Sequence, residues 1–365
     1  MSNTNTKVKE ILSLAGSVLG PECDTVISSR VRLARNLADY PFPARLNKEG
    51  RQKIEANIKS ALANITQPKY DFINFAEISN IEAAAFAEGR MVSPVFAASE
   101  NERELIADIQ NGVYVMLNEE DHLRIQCIKP GFAIDEAFEQ ADDFDNRVDL
   151  NYAYSEELGY LTQCPTNLGT GLRASVMMHL PALTLNRQIE SIAAQLPKLG
   201  LTIRGLYGEG SEVGGDLYQI SNNITLGVSE AATLEKIKSL AERIIELERN
   251  ARTELSKNDH TIDKIKRAYG TLKHAHLISS SEFLRLYSAV RLGVTYGIVK
   301  SLDYKVLDRL LVKVMPANLT LNNNDAQLTQ SNRDIARAEY IQQELAQTIN
   351  PNQNNQNKMK ETEVI

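Results

Sequence analysis

A chain of 365 residues with 43% hydrophobic side chains has material for about two cored domains. Its 40 basic residues are outnumbered by 47 acidic ones, a formal net charge of -7, which disfavours general nucleic-acid binding as the main task because that work rests on surplus Lys and Arg. The polar opening MSNTNTKVKE has no apolar signal core and no run is long enough to cross a bilayer, so a cytoplasmic protein is expected; Cys23, Cys127 and Cys164 lack CxxC spacing and argue against both a disulfide framework and a zinc site.

In chain order, residues 1–22 predict a short helical lead-in, and VISSRVRLARN at 26–36 is an arginine-dense, β-like segment. GVYVMLN and LRIQCI flank the acidic turn NEEDH and predict a hairpin. GYLTQC, LTIRGLY and DLYQISNNITLGV are further strand candidates, with a helix over SIAAQLPKLG between them. Ser229 is placed to cap a long helix in which Leu234, Ile237, Leu240, Ile244 and Leu247 repeat at helical spacing. From 256 onward only helical patterns remain, in IDKIKRAYGTL, SSEFLRLYSAVRLG, YKVLDRLLVKV and RDIARAEYIQQELAQ. The expectation is an α+β chain with an antiparallel sheet, divided into a lead-in (1–22), a mixed domain (23–255), an all-helical C-terminal domain (256–349) and an Asn/Gln-rich disordered tail (350–365).

The candidate chemistry starts with arginine. Arg30 and Arg32 alternate on a β-like segment and so point the same way, where two guanidinium forks suit phosphate oxygens; a solvated, salt-bridged face is the competing explanation. Arg124, Arg173 and Arg204 follow in acidic or glycine-rich contexts that let backbone approach a ligand closely. No GxxxxGK[ST] loop and no HRD or DFG signature occurs, so arginines would have to replace the P-loop backbone in any nucleotide site. The Glu119, Glu120, Asp121 cluster reads either as a solvated turn or as a group facing a cation, able to act as general base, and Glu209 lies in a glycine-flanked loop. Cys164, ahead of Pro165 and Thr166, reads as a small buried hydrophobe or as a thiolate near arginines. His122 and His179 read as structural.

SSRVRLARN, NEEDHLRIQ, CPTNLGTGLRASV and RGLYGEGSE, in that order, resemble the signatures of the phosphagen (guanidino) kinase family over about residues 23–250. The resemblance implies that family's catalytic fold, an antiparallel sheet flanked by helices, with ATP and Mg2+ as cofactors. It matches Arg30, Arg32, Arg124, Arg173 and Arg204 to phosphate-binding arginines, within nucleotide-binding segments formed by Ser28, Ser29, Arg30, Val31 and Arg32, by Arg173, Ala174, Ser175, Val176 and Met177, and by Arg204, Gly205, Leu206, Tyr207, Gly208 and Glu209. Glu120, with Glu119 beside it, matches the carboxylate that holds and deprotonates the guanidinium; Glu209 matches a second carboxylate, and Cys164 the cysteine that orients the acceptor.

Two features look like the bacterial protein-arginine-kinase branch of that family. The first signature begins at Ser28 rather than after a helical domain of about a hundred residues, and Arg333, Asp334, Ile335, Ala336, Arg337 and Ala338 fit an RDxxRA pattern that in this branch binds phosphoarginine and activates the enzyme. On a helix Arg333 and Arg337 lie one turn apart, suited to a dianionic phosphoryl group or, equally, to an ordinary charged face. Arg90 stands where the branch has a histidine, and can contact phosphate or adenine. The expected activity is transfer of the ATP γ-phosphate to arginine side chains of proteins; a free-arginine kinase and a non-catalytic phosphoarginine-reading adaptor are the alternatives. The resemblance further implies a stress-response role, a small zinc-binding activator protein, a Clp-type chaperone-protease, a transcriptional repressor as substrate, and a homodimer.

Overall fold

The computed structural model describes residues 2–13, 16, 18–63, 65–205, 214–323 and 328–349. Its elements are α1 (Ser2–Ser13), β1 (Val26–Arg35), α2 (Lys48–Leu62), β2 (Asp71–Asn74), α3 (Asn80–Glu88), α4 (Pro94–Ala98), β3 (Glu104–Asp108), β4 (Val113–Leu117), β5 (Leu123–Pro130) and α5 (Ile134–Arg147). The short hairpin β6 (Tyr154–Ser155) and β7 (Gly159–Tyr160) follows, then β8 (Leu172–His179), α6 (Pro181–Leu185), α7 (Ile189–Gln195), β9 (Leu201–Gly205) and β10 (Leu217–Asn222). The remaining helices are α8 (Glu230–Leu255), α9 (Asp259–His274), α10 (Ser280–Thr295), α11 (Tyr304–Lys313), α12 (Pro316–Asn322) and α13 (Gln330–Ile349).

Eight strands form one antiparallel sheet in the order β2-β3-β4-β5-β1-β8-β10-β9, flanked by helices, as the sequence pattern anticipates. Side chains alternate across a strand, and on β1 the alternation separates two jobs. Val31 and Leu33 join Val115, Ile125, Cys127, Ala174, Val176 and Ile220 in a core under residues of α2, α5 and α8. Among the described residues, apolar clusters cover the other face at its two ends. At one, Ile73, Leu105, Tyr114 and Met116 pack with Val8, Ile11, Phe86, Phe96 and Ala317. At the other, Met177, Leu217 and Ile27, the last turned over by a bulge in β1, pack with Phe283, Tyr287, Leu310 and Ile341 of the C-terminal helices. The stretch between those two covers is left to arginines.

The C-terminal helices therefore bury their apolar faces directly on the sheet. A buried ionic contact reinforces the junction: Arg291 (α10) pairs with Asp308 (α11) and donates to the Cys23 carbonyl, and Tyr287 donates to Asp308 at 3.2 Å. Ser229 caps α8, accepting from the Ala232 amide at 3.2 Å. GYLTQC departs from its strand pattern: only Gly159–Tyr160 pairs, and Cys164 precedes a single 3-10 turn, Pro165–Asn167. Proline supplies no amide to a ladder there. Among the described residues no helix is long and apolar enough to cross a membrane. The tail at 350–365 lies outside the described residues.

Candidate active site

The strand register gathers the arginines. Across β1 and β8, Arg32 lies opposite Arg173 and Arg30 opposite Ser175; across β1 and β5, Ala34 lies opposite Arg124; across β10 and β9, Gln219 lies opposite Arg204. Directly paired residues share a face, so Arg30, Arg32, Arg124, Arg173 and Arg204 all project from the partly covered side of the sheet. Gln219 accepts from Arg30 Nη2 at 3.2 Å, tying β1 to β10. Like charges directly opposite each other destabilise a sheet, so the Arg32–Arg173 pairing is costly without an anion between them. Burial, then Arg90, Arg124 and Arg173, push Arg30 down to about 9, and burial followed by Arg30, Arg124 and Arg173 pushes Arg32 well down. Arg173 is lowered by burial and then by Arg204 and Arg124. A guanidinium does not release its proton in a protein, so these shifts express positive charge short of counter-charge. Buried Nε atoms of Arg32 and Arg173 have no hydrogen-bond partner among the described residues. Orphaned cationic donors of this kind fit phosphate oxygens.

The acidic turn between β4 and β5 splits into distinct parts. Glu119 accepts from Arg124 Nη1 at 2.7 and 2.6 Å and from Ser93 Oγ at 2.5 Å. Burial raises its pKa, but Arg124 and the hydrogen bonds outweigh it and hold the carboxyl below its usual range. Glu119 is thus an anion that fixes Arg124. Asp121 accepts from Asn36 Nδ2 at 2.6 Å and from the Gln163 amide at 2.8 Å, so it joins the end of β1 to the loop bearing Cys164. Glu120, between these two anchors, is half-buried and donates only its amide, to Glu119 at 3.1 Å.

Cys164 Sγ lies 3.1 Å from Thr166 Oγ1, half-buried beside exposed Pro165 and Thr166, and near enough to Arg173 to act on its titration. The loop behind it is held by Arg35: Nη1 donates to the Thr170 carbonyl at 3.1 Å, Nε to Asp145 at 2.8 Å, and the guanidinium lies 3.6 Å from the Tyr160 ring centroid. Among the described residues, arginine forks, a rigidly mounted carboxylate and a thiol thus gather around one stretch of sheet. The set can hold a polyphosphate on one side and a guanidinium on the other.

A family model described as the ATP:guanido phosphotransferase, C-terminal catalytic domain, matches residues 53–251, and one described as the protein-arginine kinase McsB C-terminal domain matches residues 258–357. The chain belongs to the ATP:guanido phosphotransferase family. It is 44% identical over 329 residues to a protein-arginine kinase of Caldanaerobacter subterraneus subsp. tengcongensis, covering 88% of this chain and 97% of that protein. A protein-arginine kinase of Pelotomaculum thermopropionicum is 43% identical over 335 residues, covering 90% and 94%. Among solved structures, the duplicated taurocyamine kinase from Schistosoma mansoni matches with a TM-score of 0.57 at 27% identity over 64% of this chain and 34% of that one, so this chain spans about a third of that protein. A lombricine kinase shares the fold, with a TM-score of 0.57 at 24% identity over 67% and 73%.

Within this ATP:guanido phosphotransferase, not every residue of the signature segments faces the site. Ser28, Ser175 and Met177 share the arginine face, whereas Val31, Ala174 and Val176 are in the opposite core. Ser29 is buried, donating to the Gly131 carbonyl at 2.9 Å. Alternation requires this, so these four side chains act as framework. Gly205 ends β9; Leu206, Tyr207, Gly208 and Glu209 lie outside the described residues. Arg90 reaches Ser28 Oγ at 3.2 Å and Met177 Sδ at 2.6 Å, and lines a small cavity with Ser28, Arg30, Ser175 and Gln219. Sequence reasoning passed over Gln126, Gln219, Asn36 and Ser93. Gln126 and Gln219 are polar residues at strand positions in register with arginines, a signal visible only once the strands are paired.

The two histidines are structural. His122 takes the Leu37 amide on Nδ1 at 3.0 Å and donates Nε2 to the Pro41 carbonyl at 3.0 Å. His179 is buried, with Nε2 2.9 Å from Ser288 Oγ. On α13, Arg333 Nη1 donates to the Leu328 carbonyl at 2.9 Å. Arg337 is buried and donates to the Val314 and Ile278 carbonyls at 2.9 and 2.7 Å and to Asp334 at 2.6 Å. Ile335 and Ala336 are half-buried, and Ala338 is in the C-terminal core.

Proposed function

We propose that this protein transfers the γ-phosphate of ATP to the guanidinium of arginine side chains in other proteins. The observation that carries the reading is the single sheet face on which five arginines meet the Glu119–Glu120 turn and the Cys164 loop. The names of the relatives and the match of residues 258–357 support a protein acceptor, as do the exposed Pro165 and Thr166 beside Cys164.

In this reading Arg30, Arg32, Arg124, Arg173 and Arg204 grip the phosphates and neutralise charge that spreads over the transferring phosphoryl group. Magnesium, bound with the nucleotide, adds further neutralisation of the phosphate oxygens. The acceptor is a poor nucleophile while protonated, with a pKa above about 12. Glu120 takes one guanidinium proton; the freed nitrogen lone pair forms the N–P bond as the bond from Pγ to the bridging oxygen breaks, and ADP leaves with that oxygen. Glu209 provides the second carboxylate and Cys164 orients the guanidinium plane. Glu119 stays ionised on Arg124 and keeps the grip in place.

Phosphoarginine itself would bind at Arg333, Asp334, Ile335, Ala336, Arg337 and Ala338, with Arg333 and Arg337 as the cationic pair for its phosphoryl group. Proteins marked in this way suit delivery to a Clp-type protease in the cytoplasm, with a zinc-binding activator and a repressor among the partners and a homodimer as the working assembly.

Incubation with ATP, magnesium and a denatured acceptor protein, read by mass spectrometry without acid, is expected to yield phosphoarginine on the acceptor and little ADP with free arginine. Glu120→Gln should lower turnover at least about 100-fold while nucleotide binding persists. A folded chain that makes no phosphoarginine would overturn the reading.

A further inference from the structure

Arg90 owes its position to two elements on opposite sides of the turn that carries it. The turn leaves the end of α3 with Arg90 in the left-handed region, φ 62°, and is closed by the Arg90 and Met91 amides bonding to the Ala87 and Phe86 carbonyls at 2.9 and 3.0 Å. From the sheet, Gln126 Nε2 donates to the Arg90 and Met91 carbonyls, both at 3.0 Å, and Gln126 lies opposite Arg32. From the other side comes the C-terminal helical region. Glu88, the last residue of α3, accepts the Ala317 amide at 2.8 Å, the Asn318 amide at 2.9 Å and Asn318 Nδ2 at 2.8 Å, all at the start of α12. Three donors converge on one half-buried carboxylate, two residues before an arginine that touches Ser28 and Met177 in the nucleotide face.

This is more than a helix contact needs. Ala317 already packs into the apolar cluster that holds Phe86, so α12 would sit on α3 without a carboxylate. Burying a carboxylate costs free energy unless its hydrogen bonds are well made. Burial does raise the Glu88 pKa, against the pull of the three donors and of Arg337. The junction also leads back to α13, because Val314, three residues before Ala317, accepts from Arg337 Nε at 2.9 Å. A shift of α12 therefore pulls on the Glu88 carboxylate and, through Gly89, on the turn whose Arg90 reaches Ser28.

We propose that Glu88 is a positioning residue for Arg90, through which the seating of α12 sets how tightly the nucleotide is held. The proposal rests on the kinase reading above, since it assigns Arg90 to the nucleotide.

Asn318 gives the sharpest test: it is buried, belongs to the C-terminal region and is not part of the arginine face. MgADP titration calorimetry on the full chain compares wild type, Asn318→Ala, Glu88→Gln, Arg90→Ala and the Asn318→Ala/Arg90→Ala double variant. Asn318→Ala and Glu88→Gln are each expected to weaken MgADP about three- to tenfold, the range that couplings through such networks reach. KM for the acceptor protein should stay unchanged. In the Arg90→Ala background, Asn318→Ala should have no further effect, a non-additivity that general destabilisation does not produce. Affinities within twofold of wild type, or an undiminished loss in the Arg90→Ala background, overturn the proposal while leaving the kinase reading intact. A wild-type chain that binds no MgADP overturns both. If Glu88→Gln does not fold, the Asn318 pair alone decides.

Discussion

His122 sits in the same turn as Glu119 and Glu120, yet both of its ring nitrogens are spent on backbone groups of residues 37 and 41. Burial pushes its pKa down to about 4, against the Pro41 carbonyl, which raises it. The native state thus favours the neutral ring, and the unfolded chain binds the extra proton between its own pKa near 6.5 and the folded value. Stability contributed by His122 is full above about pH 6.5 and is lost as pH falls toward 4, at most about 3 kcal/mol. Melting temperature should fall through that window in wild type, and more shallowly in His122→Gln measured against its own value at pH 7.5. Equal slopes would show that His122 is not held neutral. Arg30, Arg32, Arg124, Arg173 and Arg204 are legible in the sequence as candidates, by residue type within the signature segments. For Glu119 and Glu120, adjacent and chemically identical, the family resemblance singles out Glu120, and the contacts of Arg124 and Ser93 with Glu119 supply the physical distinction.

At the scale of elements, β1 and the glycine loop before β8 form the frame of the site. Gly171 has φ +67°, and a Cβ there would lie 2.7 Å from both the Ala34 carbonyl oxygen and Arg35 Nη1. Gly171→Ala should therefore displace the Arg35 contact with Thr170 and misplace Arg173, two residues on. We expect a loss of at least 1 kcal/mol or so in stability and a larger proportional loss in turnover, measured by urea titration beside ADP release. Asp145→Ala leaves the buried Arg35 guanidinium without its carboxylate and should cost about 3–5 kcal/mol, visible as a lowered urea midpoint with unchanged slope. Strands with alternating or buried apolar runs and helices with a 3.6 period were readable from the chain because side-chain periodicity is local. GYLTQC leaves the strand pattern past Tyr160 because side chains take backbone groups that a ladder would use: Asn36 Nδ2 donates to the Leu161 carbonyl and the Gln163 amide donates to Asp121.

Among the described residues the eight-stranded sheet carries three apolar clusters, and the C-terminal helices share theirs with Ile27, Met177 and Leu217. A region that buries its core on its neighbour should not melt apart from it. Calorimetry is expected to show a single cooperative transition spanning sheet and C-terminal helices, and two resolved transitions would contradict the shared core. Arg291→Ala, which strands Asp308 and frees the Cys23 carbonyl, should lower that one transition rather than split it.

Sequence by itself determined which residues carry charge, where β1, the β4–β5 hairpin, α8 and the long C-terminal helices run, and, through four ordered signatures, the family. Those are properties of short windows, in which spacing alone fixes direction. Tertiary structure decided which arginines meet, because a face is shared only after strands from residues 26–35, 123–130, 172–179, 201–205 and 217–222 pair in one register. It also decided that Val31, Ala174 and Val176 are core, that Glu119 serves Arg124, and that Glu88 reaches α12 across a separation of more than 200 residues in the chain. Contacts at that distance leave no periodic trace in the sequence; only the fold brings them within hydrogen-bond reach.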